Sequence, residues 1–261
     1  MLSSKKTLFG ALGAASLAFC ALSSPSAAED REFGYAITLT GASDYIFRGI
    51  SYTQEDPTVN SYIELSYGQA YLAFWTSNID DHFGVYGPWE QDIYLGVRPV
   101  TGPINWDLAV WYYTYGAKGG LESADIDYFE FKVGASVTPI TNLTVGVNGY
   151  YTPLQENNVT TASAETGTIE GSLAYTLPAV GIFTPTISGL YGHTETIDGP
   201  DGWFYGEDEY NFWNAGLKLA VDRWAFDFRY WDTDNDGGGD PALRGLVDER
   251  FVFSAAVNLH P

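Results

Sequence analysis

The stretch Arg250-Phe251-Val252-Phe253-Ser254-Ala255-Ala256-Val257-Asn258-Leu259 alternates with a period of two. One side of this stretch carries Phe251, Phe253, Ala255, Val257 and Leu259, and the other side is mostly polar. Side chains of a β-strand point alternately to the two faces of the sheet, so a strand with one apolar face produces this pattern. The last stretch of the chain is therefore predicted to be such a strand.

The same alternation recurs along the chain and predicts an all-β fold. We place twelve strands at 35–49, 58–67, 69–78, 89–99, 103–115, 126–138, 141–152, 166–177, 182–193, 209–221, 223–232 and 249–259. Tight connections alternate with long ones, and both ends of the chain fall on the side of the tight connections. An even count of strands of about ten residues with this layout is typical of a transmembrane antiparallel up-and-down β-barrel.

A secreted β-sandwich would also alternate, so the pattern alone leaves two folds open. The aromatic residues favour the barrel. We expect Tyr45, Phe47, Tyr112, Tyr151 and Tyr230 on the apolar face near the long-loop ends of their strands. Outer-membrane barrels carry a girdle of aromatic side chains at that level, whereas a sandwich concentrates them centrally.

The N-terminus predicts export. Lys5 and Lys6 precede an uncharged apolar run, and Ser26-Ala27-Ala28 offers small residues for cleavage. Residues 1–28 are therefore predicted to be a cleaved signal peptide, and residues 29–261 a single barrel domain in the outer membrane of a Gram-negative cell. Cleavage would remove Cys20, the only cysteine, so neither a disulfide nor a cysteine metal site is expected.

The charge balance limits the classes of partner that the chain is expected to bind. The chain has 33 Asp and Glu against 12 Lys and Arg, a formal net charge of -21, and loss of the two lysines with the signal peptide would leave -23. Such a chain repels phosphate, so no nucleic-acid partner is expected. The partners that we expect are outer-membrane lipids and lipopolysaccharide, the barrel assembly machinery, and small solutes or ions; we expect no cofactor.

The polar faces of the strands supply candidate pore-lining residues. Taken as inward, they carry seven acids and six bases, which are Asp44, Glu64, Asp92, Asp107, Glu130, Glu170, Asp227, Arg48, Arg98, Lys132, Lys218, Arg229 and Arg250. These charges would form a ladder of salt bridges, a transverse field that orients a permeating solute, or both. Arg48 stands out at the loop end of the first strand, and its simplest role would be pairing with Asp44.

Subtracting these residues from the 33 acids and 10 remaining bases leaves 26 acids and 4 bases for loops, turns and chain ends. The mouth of the barrel is therefore predicted to be acidic and to favour cations. One acidic loop, with Asp232, Asp234, Asp236 and Asp240, resembles the first half of a calcium loop, but Leu243 stands where that motif has its glutamate. Weak divalent binding is the alternative there to a plain surface loop.

An outer-membrane enzyme is a competing class, because some barrels hydrolyse lipids with a serine that a histidine activates. His193, with Glu195 and Ser188 on the same strand, is the candidate group, but no G-x-S-x-G turn accompanies it. We therefore expect no enzyme. A structural or adhesive barrel that works through its acidic loops stays open as a third class.

Several motifs carry a resemblance to a known family. They are Ser43-Asp44-Tyr45-Ile46-Phe47-Arg48-Gly49-Ile50-Ser51 with Asp56-Pro57, Trp75-Thr76-Ser77-Asn78, Glu90-Gln91-Asp92-Ile93-Tyr94-Leu95-Gly96, Tyr112-Tyr113-Thr114-Tyr115 and Tyr230-Trp231-Asp232-Thr233-Asp234. In these the chain resembles the TorF family of porin-like proteobacterial outer-membrane proteins, over essentially all of its length after residue 28. It departs from that family at Thr58-Val59-Asn60-Ser61, and Leu259-His260-Pro261 lacks the terminal aromatic typical of outer-membrane barrels. The resemblance implies a barrel with a pore for passive diffusion of small hydrophilic solutes or ions.

Overall fold

Twelve long antiparallel strands form a closed barrel. The computed structural model describes residues 32–80, 86–117, 126–157 and 162–259. Its strands are β1 (Phe33–Ala42), β2 (Ile46–Phe47), β3 (Ile50–Ser51), β4 (Thr58–Tyr67), β5 (Ala70–Asn78), β6 (Tyr86–Val97), β7 (Val100–Thr101), β8 (Ile104–Ala117), β9 (Tyr128–Ile140), β10 (Leu143–Asn157), β11 (Ala162–Thr176), β12 (Thr184–Asp198), β13 (Glu209–Val221), β14 (Trp224–Thr233) and β15 (Arg250–Asn258). A single-turn 3-10 helix (Gly237–Gly239) and helix α1 (Pro241–Val247) lie between β14 and β15.

The ring closes because β1 pairs with β15 and β6 pairs with β8, while every other long strand pairs with its neighbours in sequence. The three two-residue strands β2, β3 and β7 are local bridges that add no strand to the wall. The prediction of an all-β antiparallel barrel of twelve strands is confirmed. No helix among the described residues is long and apolar enough to cross a membrane.

The connections divide the barrel into two ends. Residues 68–69, 98–103, 141–142, 177–183 and 222–223 connect the strands at one end, which we call the turn end. Residues 43–57, 199–208 and 234–249 connect them at the other end, the loop end, and β5, β8 and β10 also finish there. The loop predicted at 153–165 is shorter than expected, because β10 and β11 stay paired as far as Asn157 and Ala162. The predicted signal peptide lies outside the described residues.

The apolar face of the wall points outward and the polar face inward. On β9, Phe129 and Phe131 expose 52% and 46% of their surface, and Glu130 between them exposes 1%. On β15, Phe251 exposes 81% and Val252 exposes 9%. An apolar outer surface around a charged interior is the arrangement that a barrel wall in lipid requires, since water would favour the reverse.

Two of the five expected girdle aromatics lie elsewhere. Tyr112, Tyr151 and Tyr230 are on the outer face near the loop end, as predicted. Tyr45 and Phe47 are instead buried inside the barrel. The prediction was wrong for these two because β1 ends at Ala42 and not at residue 49, so the chain leaves the wall before it reaches them.

Candidate functional site

Residues 43–57 turn into the barrel at the loop end, and we call them the infolded segment. Asp44 holds the segment's shape, because its carboxylate accepts hydrogen bonds from Ser51 Oγ at 2.8 Å and Thr53 Oγ1 at 2.7 Å. Its other oxygen accepts from Arg250 Nη1 at 3.1 Å, which ties the segment to the start of β15. The segment is therefore a folded element and not an open loop.

The tip of the infolded segment is a two-residue turn between β2 and β3. Phe47 pairs with Ile50, and Arg48 and Gly49 between them have φ angles of 49° and 84°. Positive φ at both central residues is what a type I′ hairpin turn requires. A Cβ atom on Gly49 would lie 2.9 Å from the Cβ of Phe212 on β13, so glycine also lets the tip approach the wall.

Arg48 forms a buried ion pair with Glu130 of β9. Its Nη2 lies 2.8 Å from Oε2 and 2.9 Å from Oε1 of the glutamate. Tyr113 Oη also donates to Glu130 at 3.1 Å, and the Arg48 guanidinium lies over the ring of Tyr150 at 4.9 Å. The expected pairing of Arg48 with Asp44 was wrong, because the turn points the arginine across the lumen while Asp44 pairs with Arg250.

Toward the turn end the inward charges pair along the wall. Arg98 binds both carboxylate oxygens of Glu64 at 2.8 Å, and Lys132 Nζ lies 2.7 Å from Asp107. The side chains of Arg98 and Asp107 keep 28% and 25% of their surface exposed, so water reaches this end of the lumen more freely than it reaches Glu130.

Across the lumen from these pairs, Arg229 of β14 is almost fully buried. It bonds to Asp227 of its own strand at 3.0 Å, to Asn214 of β13 at 2.6 Å and to Ser188 of β12 at 2.9 Å. A cavity of about 40 Å³ lies between this group and the infolded segment, lined by Asp44 and Tyr45 on one side and by Asp227 and Arg229 on the other. It is large enough to hold water.

All thirteen predicted pore-lining residues lie on the inside of the barrel or on its infolded segment. Ten of them form five ion pairs of the kind that a salt-bridge ladder requires, and Asp92, Glu170 and Lys218 have other neighbours. Lys218 lies opposite Asp227 in the β13–β14 register, and Glu170 accepts a hydrogen bond from Tyr150 at 3.2 Å. Their role in lining a pore stays a prediction.

Glu90 is an interior acid that the sequence prediction left out. It is 1% exposed and lies two residues before Asp92 on β6. Because residues two apart on a strand share a face, the period of two would have assigned it to the lumen with Asp92. The predicted strand 89–99 already contains Glu90, so the omission was an error in assigning the inward face and not in placing the strand.

The sequence prediction also missed the aromatic side chains inside the barrel. Those exposing 6% or less are Tyr45, Tyr62, Tyr71, Trp75, Tyr94, Tyr113, Tyr115, Tyr128, Tyr150, Tyr210, Phe212 and Trp231. For those on the long strands, the same period gives the inward face, because Tyr128 lies two residues from Glu130 and Tyr94 two residues from Asp92.

The acidic loop does not gather its carboxylates into a calcium site. Asp234 uses both oxygens on the backbone and side chain of Asn211, and Asp236 caps the short helix at Gly239. Among the described residues the one group whose ligand atoms lie within 4.8 Å of one another is His193, Glu195 and Glu209. It lies at the loop-end limit of β12 and β13, where His193 Nδ1 contacts Asn211 Oδ1 at 3.0 Å.

The candidate serine and histidine of an enzyme are not brought together. Ser188 is 5% exposed and accepts from Arg229 in the lumen. His193 lies five positions further along β12 and alternates with the buried Thr194, so it points to the other face of the wall. The two side chains therefore cannot form a nucleophile and base pair in this fold.

A comparison with known protein families shows which family the chain belongs to. Residues 25–257 match the model of a family described as "Bacterial protein of unknown function (Gcw_chp)". The protein belongs to the Gcw_chp family. This description does not carry the TorF name, so the resemblance to TorF stays a prediction for this Gcw_chp protein. A search of curated proteins finds no match to its sequence.

Solved structures place the Gcw_chp barrel among outer-membrane barrels. A structure described as "KdgM porin in complex with disordered oligogalacturonate" superposes with a TM-score of 0.55 and 7% identity, over 87% of this chain and 100% of that one. The NanC porin gives a TM-score of 0.55 and 10% identity, over the same 87% and 100%. At these identities the likeness concerns the fold alone.

Proposed function

We propose that this protein is a porin-like channel of the Gram-negative outer membrane, through which small hydrophilic solutes or ions diffuse passively, with cations favoured. The observation that carries the proposal is the charged and hydrogen-bonded interior of a closed barrel with an apolar outer face. Charged side chains that line a water-filled path cost little free energy in a membrane protein. A barrel without such a path has no need of charged side chains in its interior. The TorF resemblance and the porin neighbours support the same function.

The infolded segment is the constriction of this channel. It crosses the loop-end half of the lumen and is anchored on two sides, by Arg48 to Glu130 and by Asp44 to Arg250. Helix α1 packs over it, with Leu246 and Val247 buried against Ile50. Permeation at the loop end therefore depends on how this segment is held.

The excess of acids outside the lumen supports a preference for cations. Exposed carboxylates at a channel mouth raise the local concentration of cations and lower that of anions. The interior adds to this preference, since Asp92 and Glu170 are inward acids that form no ion pair with a described base.

The test is the ion conductance of the purified protein in planar bilayers. We expect discrete conductance steps, and a reversal potential of the sign that cation preference gives under a potassium chloride gradient. Folding is checked beforehand by the shift in electrophoretic mobility on heating. A folded barrel that gives no steps at low or high salt, with the infolded segment intact or released, would contradict the channel.

A structural barrel is the second candidate, and the burial at the loop end favours it. Glu130 and Arg229 expose 1% and 3% of their surface, which is the burial of a closed interior. A variant in which the infolded segment is released from the wall distinguishes the channel from the structural barrel. A closed channel then gains conductance, while a structural barrel still gives no conductance steps.

A further inference from the structure

Two acids on β6 are buried in the lumen and form no ion pair with a base among the described residues. Glu90 and Asp92 each expose 1% of their surface. Tyr115 donates to Glu90 at 3.3 Å, and Tyr94 donates to Asp92 at 2.6 Å. Glu90 Oε2 and Asp92 Oδ1 accept no hydrogen bond.

Among the described lumen acids, Glu90 and Asp92 are the most deeply buried that form no ion pair; Glu170, which also forms none, exposes 6% of its surface. Glu130 is as deeply buried as Glu90, but both of its oxygens accept from Arg48 Nη2. A buried carboxylate without compensation is costly, so a pair of them indicates a positive charge that the described residues do not supply.

The two carboxylates can reach one ion. Residues i and i+2 of a strand lie on one face with Cα atoms roughly 6.8 Å apart, and both side chains point into the same half of the lumen. The buried Tyr45 hydroxyl of the infolded segment lies in the same aromatic cluster as Tyr94 and adds a neutral oxygen near Glu90.

Aromatic side chains surround these oxygens. Tyr45 packs on Trp75 with ring centroids 5.1 Å apart, and Tyr94 packs on Trp111 at 4.7 Å. Ring faces attract cations, more strongly where water is excluded. The indole N–H groups of Trp75 and Trp111 are also without partners, and they can donate to water oxygens that a cation keeps around it.

We propose that Glu90 and Asp92 form a binding site for one small, partly hydrated cation in the loop-end half of the lumen, and that this site sets the cation preference of the channel more than the acidic mouth does. The selectivity part rests on the proposed channel function; the binding part does not. The cation is an alkali metal ion or the ammonium group of an organic solute, which share a single positive charge.

Binding is tested without conductance, by quenching of tryptophan fluorescence with thallous nitrate, since thallous ion resembles potassium and quenches nearby indoles. The native barrel should show a saturable component, and Glu90→Gln with Asp92→Asn should weaken it at least tenfold. The amides keep the side-chain size, and Asp92→Asn alone serves if the double variant does not fold. Asp232→Asn, Asp234→Asn and Asp236→Asn together are the matched control and should leave the saturable component unchanged.

Competition identifies the class of cation. Potassium that displaces thallous ion more strongly than methylammonium indicates an alkali ion site, and the reverse order indicates an ammonium site. Equal quenching curves for the native barrel and the Glu90 and Asp92 variants would overturn the site, and would mean that the two carboxylates are neutralised by protons.

Selectivity is tested by reversal potentials at two salt concentrations. Exposed charges are screened over about 10 Å at 0.1 M salt and about 3 Å at 1 M, while buried charges are screened much less. The mouth variant should therefore lose selectivity mainly at 0.1 M, and the Glu90→Gln with Asp92→Asn variant should lose it at both. A conducting, cation-selective barrel that this variant leaves unchanged would refute the site and keep the channel, whereas saturable binding without conductance would refute the channel and keep the site.

Discussion

Arg48 Nη2 lies 2.8 Å from Glu130 Oε2, although 82 residues separate them in sequence. Glu130 belongs to β9, which lies five strands from β1 around the ring of twelve. The ion pair therefore joins the infolded segment to the far wall of the barrel. An arginine with positive φ at the tip of a hairpin is strained by about 1–3 kcal/mol, and this contact compensates for it.

Replacing Arg48 by Ala should release the infolded segment. The change leaves Glu130 buried without its base, a loss of about 3–5 kcal/mol for a buried pair with one partner removed. We expect a larger single-channel conductance than in the native protein. Arg244→Ala, an exposed arginine on α1, is the control and should leave the conductance as it is. Equal conductance in both variants would mean that the segment does not limit the path.

Replacing Gly49 by Ala should loosen the same segment by a different route. The φ of 84° and the 2.9 Å approach to Phe212 both exclude a Cβ atom. We expect faster proteolysis within residues 43–57 of the folded barrel, from a strain of about 1–3 kcal/mol. Gly41→Ala is the control, because nothing lies within 4 Å of its Cβ and its strand backbone accepts alanine. Identical cleavage rates would contradict the observed turn.

An arginine on the outer face should cost free energy of unfolding in proportion to its depth in the membrane. Ala255 lies near the middle of β15 and pairs with Phe226, whereas Val257 pairs with Trp224 next to the turn end. We expect about 2–4 kcal/mol for Ala255→Arg and about 0–1 kcal/mol for Val257→Arg, from denaturant titrations in lipid vesicles. Two neutral results would argue that this face does not contact lipid.

The direction of the barrel is tested by labelling introduced cysteines in intact cells. Asp201 lies in a loop-end connection and Asp222 in a turn-end connection, and both are exposed. Because outer-membrane barrels keep their short turns in the periplasm, Asp201→Cys should react with an impermeant thiol reagent and Asp222→Cys only after permeabilisation. The opposite result would reverse the orientation.

The sequence by itself determined the wall. Asp227 and Phe228 show why, because neighbouring side chains on a strand point to opposite faces whatever lies beyond them. Strand type, inward and outward faces and the turn and loop ends all follow from such local alternation and from connection lengths. The same rule holds for Glu90, which the period of two places beside Asp92 within the predicted strand 89–99.

Only the tertiary structure decided where the chain leaves the wall and which charges meet. Tyr45 and Phe47 continue the alternation of β1, so nothing local separates them from strand residues. They turn inward because Arg48 pairs with Glu130 and Gly49 packs against Phe212. These contacts exist only once β9 and β13 are in place in the closed ring. Which charged side chains form salt bridges depends on the distance between them across the closed lumen. The alternation along one strand carries no information about that distance.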